Sequence, residues 1–359
     1  MRPLEARDLG AVAALFVATF RKAGGAVPQS LPAYFAEVFL HHPWADAATP
    51  SRVHVAANGR VDGFIGVLPA RMTLAGRPIR AAIAGSLMVA DSQRDPLAGA
   101  RLIRAFLKGP QDLSFSETAN PLSHGMWEKL GGVAAPAYSM EWLRVFKPLT
   151  AVAAAAAEKV SAVRIAVPVA RGLDRLAAPL ARHVAGPITP VANAADADEE
   201  ALAAALPALA AAVPLAPTWD DETALRWLLA HARRKERHGP AHIRVVRDRA
   251  GNVAGASIYF GRPGGIAWVL QMIAKPQAAA QVVDDLFATA SAQGFAAVRG
   301  RTDPVFLDAL MRRRCLMLHR ASTVLHSRDR DILDAIRRGD AMLTGLAGET
   351  WMRLIGGEF

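Results

Sequence analysis

The most informative part of the sequence is VADSQRDPLAGARLIRAFL, from Val89 to Leu107, followed by SFSETANPLSHGMWEKLGG, from Ser114 to Gly132. It predicts a strand, a turn, a helix, a second strand and a second helix opened by Asn-Pro. The loop Gln93 to Gly99 therefore joins a strand end to a helix start. Unpaired N–H groups and the helix dipole favour an anion there, such as a pyrophosphate. Arg94 adds positive charge, and Gly99 lets the backbone approach a ligand.

These elements resemble the GCN5-related N-acetyltransferase (GNAT) family, whose acyl-CoA loop usually reads Arg/Gln-x-x-Gly-x-Gly/Ala. The similar segment here is Arg94 to Gly99, with Leu97 in place of the middle glycine. The family's later signature, an Asn followed seven residues on by Tyr, falls on Asn120 and Trp127, so the tyrosine is replaced. The resemblance covers roughly residues 1 to 147 and depends on the order of the elements.

The resemblance implies that acetyl-CoA, or another acyl-CoA, binds this half as a co-substrate and transfers its acyl group to an amine. A splayed fourth strand would offer backbone groups to the pantetheine arm and the oxyanion. The residues that the resemblance places at the cofactor are Leu87, Met88, Val89, Arg94, Asp95, Leu97, Ala98, Gly99, Ala100, Asn120 and Trp127.

Transfer of an acyl group to an amine needs a base, and the departing thiolate benefits from an acid. Glu117, near the end of the predicted strand Leu113 to Thr118, is the first candidate for the base; alternatively, it is a carboxylate that pairs at a strand end. His124 is the second candidate, and its alternative is an ordinary surface or core histidine. The indole of Trp127 cannot supply a proton. Either water or Tyr138 protonates the thiolate, or this half binds CoA without turnover.

Two hairpins with the same pattern predict an internal repeat. Gly59-x-Val61-x-Gly63 returns as Gly251-x-Val253-x-Gly255, and Asn58-Gly59 predicts a type I′ turn. Asp303-Pro304 later opens a helix as Asn120-Pro121 does. We interpret the chain as two tandem GNAT-like α/β domains, each with a mixed, mostly antiparallel sheet, the second being degenerate.

The second copy differs where the first has its anion loop. Lys275 to Gln281 contains no glycine, so the cofactor site is predicted in the first copy, although Lys275 could touch a phosphate. The degenerate copy would form a wall of the substrate groove or a surface for a homodimer. Some similar tandem acyltransferases place a chain end near the active site, which draws attention to Glu349-Thr350-Trp351 and the terminal carboxylate of Phe359.

The predicted boundaries are residues 1–147 for the first domain, 148–186 for an Ala-rich helical linker and 187–359 for the second domain. One side of the linker would carry a basic stripe that fits anionic lipid or polymer; the alternative is a solvated helix face. The stripe consists of Arg164, Arg171, Arg175 and Arg182.

The composition limits the remaining classes. The net charge of +10 has two explanations, an anionic ligand or surface and a coding bias towards arginine. No nucleic-acid motif or metal-ligand pattern is found, so neither partner is expected. The single Cys315 and the lack of a signal or membrane segment predict a cytoplasmic protein. The acceptor is expected to be a small-molecule or glycan amine. The competing hypothesis is a non-catalytic CoA-binding or scaffolding protein, peripheral to envelope or polysaccharide assembly.

Overall fold

The computed structural model describes residues 1–21, 25–90, 95, 97–159, 169–174, 188–357 and 359. Its strands are β1 (Arg2–Pro3), β2 (Arg52–Val55), β3 (Val61–Leu74), β4 (Arg77–Val89), β5 (Leu113–Ala119), β6 (Val133–Ala134), β7 (Met140–Val145), β8 (Ala194–Asp196), β9 (Leu215–Pro217), β10 (Ala241–Arg247), β11 (Val253–Phe260), β12 (Ile266–Ala274), β13 (Ala297–Arg301), β14 (Leu316–His319) and β15 (Ser322–Ser327). Its α-helices are α1 (Leu9–Phe20), α2 (Ser30–Phe39), α3 (Ala98–Leu107), α4 (Pro121–Lys129), α5 (Pro136–Ser139), α6 (Pro148–Lys159), α7 (Glu199–Ala210), α8 (Glu222–Arg233), α9 (Ala279–Ala292), α10 (Pro304–Arg312) and α11 (Arg330–Arg338).

Two mixed sheets form the scaffold. The first has the order β1-β2-β3-β4-β5-β15-β6, with β9 on another part of β3, and the second has the order β14-β7-β13-β12-β11-β10-β8. Each sheet contains one parallel pair, β4 with β5 and β12 with β13. A helix connects the strands of each pair, α3 in the first and α9 in the second. The prediction of a mixed α/β architecture is confirmed.

Each sheet includes strands from the other part of the chain: the first sheet contains β9 and β15, and the second contains β7. The strand β7 precedes the predicted linker but pairs with β13 and β14 of the second sheet. In return, β15 pairs with β5 and β6 of the first sheet. Neither sheet is therefore complete without a strand from the other part of the chain. The predicted domain boundaries remain a prediction, and these strand pairings cross them.

One central core contacts a face of both sheets. It is built from α1, α2, α7, α8 and the C-terminal segment, which we define as residues 340–357, and it includes Phe64 of β3 and Ile273 of β12. The opposite face of the first sheet packs on α3 and α4 through Leu102 and Trp127. The opposite face of the second sheet packs on α9 and α10. Because all three cores are apolar, their burial is the main driving force holding the two sheets together.

Both predicted hairpins form, but the turn type predicted for Asn58-Gly59 is wrong. A type I′ turn needs positive φ at both central residues, and only Gly59 has it, at 82°. The Gly59 N–H donates to Ala56 O at 2.9 Å, and a bulge at the end of β2 absorbs the extra residue. Gly251, with φ 86°, closes the second hairpin by the same contact, to Asp248 O.

The third position of the repeated motif has a packing role in both hairpins. A Cβ on Gly63 would lie 3.1 Å from Leu102 of α3, and a Cβ on Gly255 would lie 2.4 Å from Val282 of α9. Each glycine therefore lets a helix cross close to its sheet. The shared motif thus corresponds to the same packing requirement in both halves.

Part of the predicted linker is described. The helix α6 occupies its start, and Asp174 accepts the backbone N–H groups of Leu149 and Thr150 at 3.0 and 2.7 Å, which satisfies the first turn. In the predicted basic stripe, Arg171 donates to Pro263 O at 3.2 Å. Arg164, Arg175 and Arg182 lie outside the described residues. No helix in the described part of the chain is long and apolar enough to cross a membrane.

Candidate active site

The parallel strands β4 and β5 pair only briefly. Their register runs from Ala81 opposite Leu113 to Ile83 opposite Phe115, and then the ladder ends. Beyond this point β4 continues to Val89 and β5 continues to Ala119. The two strands thus diverge into a notch inside the sheet, as the resemblance implied.

A β-bulge in β4 lies at this notch. Phe64 and Gly66 of β3 pair with Met88 and Gly85 of β4, so Ser86 and Leu87 together oppose a single residue. Ser86 has a φ of 56°, which is uncommon for a residue with a side chain. The register to β3 is interrupted here and the register to β5 has already ended, so Ser86 and Leu87 have no paired residue on either neighbouring strand.

A cavity of about 320 Å³ occupies the notch. Its wall includes residues from both faces of the sheet, with Ile103 and Trp127 on one side and Phe16 on the other. The remaining lining residues are Phe20, Arg21, Ile65, Ala84, Ser86, Leu87, Ser116, Thr118, Ala119, Asn120, Ser123, Glu349, Leu354, Ile355 and Gly356. This size and mixed lining suit a slender ligand with few polar groups.

The C-terminal segment supplies a carboxylate to this cavity. Oε1 of Glu349 accepts the backbone N–H groups of Glu117 and Thr118 at 3.0 and 2.9 Å. It also accepts the hydroxyls of Ser116 and Thr118 at 2.9 and 2.8 Å. Gly85 faces Oε2, since a Cβ there would lie 3.0 Å away. Burial, and then the neighbouring charge of Glu117, raise the pKa of Glu349 to about 7.

Glu117, the predicted base, is fully buried and is not among the residues that line the cavity. Its carboxylate accepts the backbone N–H groups of Gly345, Glu349 and Thr350 at 3.3, 3.1 and 3.2 Å, and the Thr350 hydroxyl at 3.2 Å. Arg301 Nε lies 3.4 Å from Oε1. Burial raises the pKa of Glu117, and the positive charge of Arg301 opposes that shift. The carboxylate pairs at a strand end, as the alternative interpretation expected, and its role as base stays a prediction.

The other predicted catalytic residues, His124 and Tyr138, lie apart from the cavity lining. His124 Nδ1 lies 3.1 Å from Ser322 Oγ, and its Nε2 lies 3.2 Å from Glu128 Oε1. The Tyr138 hydroxyl is buried and both donates to Ala341 O and accepts the Ala341 N–H at 3.1 Å. Burial raises the pKa of Tyr138. The structure thus does not bring these two side chains together, and their catalytic roles stay predictions.

Trp127 and Asn120 both line the cavity, as expected for the family's signature positions. Trp127 is buried and packs edge to face on Phe106, with ring centroids 6.0 Å apart. Asn120 caps α4, because its side-chain oxygen accepts the Ser123 N–H at 2.8 Å. The Asn-Pro signal therefore fixes the start of this helix beside the cavity.

The predicted anion loop is described in part. Arg94 lies outside the described residues. Asp95 accepts the Leu97 N–H at 3.3 Å and pairs with Arg101. Leu97 is 62% exposed at the start of α3. The carbonyl of Asp95 also accepts the Ala98 N–H at 3.1 Å, so Asp95 occupies the first two N–H groups at the start of this helix.

The next residues face inward. Ala98 is buried and Ala100 is half-buried. A Cβ on Gly99 would lie 3.2 Å from the sulfur of Met126 on α4, so the glycine permits helix packing.

The predicted strand contacts separate into two kinds. Leu87 lines the cavity, whereas Met88 is buried in the central core and Val89 packs with Leu102 on the opposite face. Any contact of the last two with a cofactor would therefore come from their backbone groups.

The second sheet has a corresponding notch, but the C-terminal segment fills it. The strands β12 and β13 pair from Ile266 to Val269 and then stop, although β12 continues to Ala274. The Leu346 N–H donates to Gln271 Oε1 at 2.8 Å, and a Cβ on Gly345 would lie 2.3 Å from Leu270 O. A ligand could enter this notch only by displacing the chain.

Two further buried ionisable groups surround the carboxylates. Burial raises the pKa of Asp303 to about 7, and its carboxylate accepts the Thr344 hydroxyl at 2.8 Å. Burial lowers the pKa of Lys235 to about 7, and its ammonium donates to Ile355 O at 2.9 Å. Both groups thus contact the C-terminal segment that lines the cavity. Among the described residues, no cluster of three or more His, Cys, Asp or Glu side chains is suited to a metal ion.

Sequence reasoning gave Glu349 no chemical role beyond its place near the chain end. Its position follows from a tertiary contact 232 residues away, for which no local pattern exists. Gly85, which leaves room for the carboxylate, was also missed. Its signal was a glycine in the middle of a strand, which often marks a bulge or a close approach.

Comparison with known proteins establishes the fold. No protein-family model and no curated protein matches the sequence. Among solved structures, a conserved protein of Enterococcus faecalis V583, described as a probable N-acyltransferase, matches with 10% identity and a TM-score of 0.58 over 91% of this chain and 72% of its own. GCN5-related N-acetyltransferases of Anabaena variabilis and Kribbella flavida match with 13% and 14% identity, TM-scores of 0.59 and 0.55, and coverage of 91% and 92% of this chain and 72% and 71% of theirs. The chain therefore has the GNAT fold.

Proposed function

We propose that this protein is an acyl-CoA-dependent N-acyltransferase whose acyl-pantetheine arm enters the cavity between β4 and β5. The observation that carries the proposal is the divergence of these strands after Ile83 and Phe115, with the cavity and the bulged backbone of Ser86 and Leu87 in the notch. Backbone groups at this bulge suit the amides of the pantetheine arm and the oxyanion that forms at the acyl carbon. The simplest donor is acetyl-CoA.

The CoA pyrophosphate is proposed to lie at the start of α3, with Gly99 and Ala100 offering N–H groups and Arg94 adding charge. Support comes from the place of this helix, directly after β4 and the bulge, and from the exposure of Leu97. The helix dipole favours a phosphate there. The second half is proposed to be the degenerate copy, because the C-terminal segment occupies its notch.

The acceptor is proposed to be an amine, carried by a small molecule or a glycan. Acyl transfer requires the ammonium form of such an acceptor to lose a proton. Glu349 places a carboxylate in the cavity wall that could attract the positively charged acceptor. The second candidate function is CoA binding without turnover, which Trp127 favours because its indole cannot protonate the leaving thiolate.

The experiment pairs acetyl-CoA titration calorimetry with thiol release across a panel of amino sugars, polyamines and lysine peptides. Ser123→Trp would place a bulky ring in the cavity, and we expect acetyl-CoA affinity to fall at least about tenfold, a loss of about 1.4 kcal/mol in binding free energy. The matched control is Leu122→Trp, on the neighbouring position of α4, which is 69% exposed and does not line the cavity.

Equal affinity of the Ser123→Trp variant and wild type would reject the cavity as the site of the arm. Thiol release above background by wild type would support the enzyme. Tight acetyl-CoA binding without thiol release across the whole panel would instead favour the non-catalytic protein.

A further inference from the structure

The C-terminal segment brings a second carboxylate to the edge of β5, beside the predicted base. We propose that Glu349 is the general base of the acyl transfer and that Glu117 is a positioning residue that holds Glu349 in place. This inference rests on the proposed function. The inference is based on the contacts of the two carboxylates, which differ in a way that suits one to be the base and the other to position it.

The hydrogen-bond donors around Glu349 hold one side of its carboxylate. Its four hydrogen bonds from Ser116, Glu117 and Thr118 all end on Oε1. They fix the carboxylate against β5 and leave Oε2 directed to Gly85, on the opposite side of the notch. The side chain lines the cavity, so Oε2 is the oxygen placed to accept a proton from a bound acceptor.

Glu117 lies in a different position. Both of its oxygens accept hydrogen bonds from residues of the C-terminal segment, namely Gly345, Glu349 and Thr350. Arg301 lies beside Oε1. The lone pairs of this carboxylate already accept hydrogen bonds from three residues, and the side chain lies behind the cavity wall. Glu117 is therefore poorly placed to take a substrate proton. It is well placed to fix the turn that presents Glu349.

The proposed reaction transfers the acyl group from the CoA sulfur to the acceptor nitrogen. Glu349 Oε2 accepts a proton from the acceptor ammonium, and the freed nitrogen lone pair forms the C–N bond to the acyl carbon. The C–S bond then breaks, and its electron pair leaves on the CoA sulfur. The attacking nitrogen loses its second proton, which neutralises the thiolate through solvent. Glu349 returns its own proton to solvent, so each turnover yields the amide, CoA thiol and one released proton.

The surroundings are compatible with this role. The charged groups around Glu349 are Glu117 on β5 and Arg21, which lines the same cavity. Beyond Glu117 lie Arg301 on β13, Asp303 and Lys235. Because burial and Glu117 both favour the protonated form, Glu349 titrates near neutral pH, where a base is most effective.

The test measures thiol release from acetyl-CoA, with the amine panel, as a function of pH. We expect Glu349→Gln to lower kcat by about 10²- to 10⁴-fold and to lose the rise in rate that wild type shows through neutral pH. Acetyl-CoA affinity should stay within about twofold of wild type, since the amide preserves the shape of the side chain. Glu117→Gln should keep the rise in rate but move it to lower pH, because the neighbouring negative charge is removed.

Gly85→Ala gives a second test that keeps the carboxylate if Glu349→Gln fails to fold. The new Cβ would lie 3.0 Å from Oε2 and should lower kcat at least about tenfold through misplacement of the base. The control is Gly10→Ala, where a Cβ meets nothing within 4 Å. Wild-type turnover that is unchanged in Glu349→Gln, or a rise in rate lost only in Glu117→Gln, would overturn the inference and leave the enzyme in place. Wild-type silence across the panel would overturn the proposed function itself.

Discussion

Glu117 and Glu349 hold each other through reciprocal hydrogen bonds, each carboxylate accepting the backbone N–H of the other residue. The Glu117 N–H donates to Glu349 Oε1 at 3.0 Å, and the Glu349 N–H donates to Glu117 Oε2 at 3.1 Å. Because both side chains are buried, the pair connects β5 to the C-terminal segment with polar bonds that are stronger than they would be on the surface. Two like charges in contact also make the protonation of each depend on the other.

We predict that Glu117→Gln destabilises the fold. The new amide group presents a donor to backbone N–H groups that now bind a carboxylate oxygen, and Arg301 loses its buried counter-charge. The expected loss in the free energy of unfolding is about 1 to 3 kcal/mol, measured by urea denaturation. Asp308→Asn, at an exposed ion pair with Arg312, is the control and should change stability by less than about 0.5 kcal/mol. Equal stability of both variants would show that the C-terminal segment does not depend on Glu117.

The pH dependence of stability should change in Asp303→Asn. Burial in the folded protein raises the pKa of Asp303 to about 7 from an ordinary value of 3.8, so between these values the folded state binds more protons than the unfolded state. Stability from this group is therefore lost as the pH rises from about 4 to 7. Removing the group should make the slope of unfolding free energy against pH more positive by about 1.4 kcal/mol per pH unit in this window.

Other buried groups contribute to the same curve. Glu349 acts in the same direction as Asp303, whereas His42 and His231, whose pKa values are lowered to about 4 by burial, act in the opposite direction. Lys235 acts above pH 7, where its lowered pKa makes stability rise with pH. The comparison of Asp303→Asn with wild type, by urea denaturation at several pH values, cancels these contributions. Parallel curves for the two proteins would show that Asp303 is ionised normally in the folded state.

Acetyl-CoA affinity should fall in Leu97→Glu. The substitution puts a negative charge on an exposed position at the start of α3, where the pyrophosphate is proposed to bind. We expect a loss of about tenfold or more at low salt, reduced as salt screens the repulsion, by calorimetry. Met311→Glu, equally exposed on α10, is the control, and Lys275→Ala should also leave affinity nearly intact. A large loss in Lys275→Ala instead would move the cofactor to the second half.

Trp127→Tyr tests the missing acid. The variant places a phenol in the cavity wall, so we expect thiol release equal to or above that of wild type if the protein is an acyltransferase. The smaller ring leaves a void beside Phe106 and should lower stability by about 1 to 3 kcal/mol. Trp127→Phe is the control, with the same loss of volume and no hydroxyl. A higher rate in both variants would show that the gain comes from the extra space in the cavity and not from the hydroxyl group.

The sequence by itself determined the local elements. Gly59 and Gly251 close hairpins because only glycine readily adopts their positive φ, and Asn120 starts α4 because its side chain caps the helix. The order strand, loop, helix, strand is that of a parallel pair, which needs a crossover between its strands, whereas the splayed fourth strand was implied only by the resemblance. Each of these signals depends on residues close together in the chain, so the printed sequence contains all of the information.

Only the tertiary structure decided the exchange of β7 and β15, the filling of the second notch by the C-terminal segment, and the placement of Glu349 against Glu117. These contacts join residues 75 or more positions apart, and a polar residue in a loop gives no local sign of its distant partner. What selects them is burial: β5 offers two N–H groups and two hydroxyls to Glu349 Oε1, and an apolar core seals the contact. The chemistry proposed for the cavity depends on this placement of Glu349.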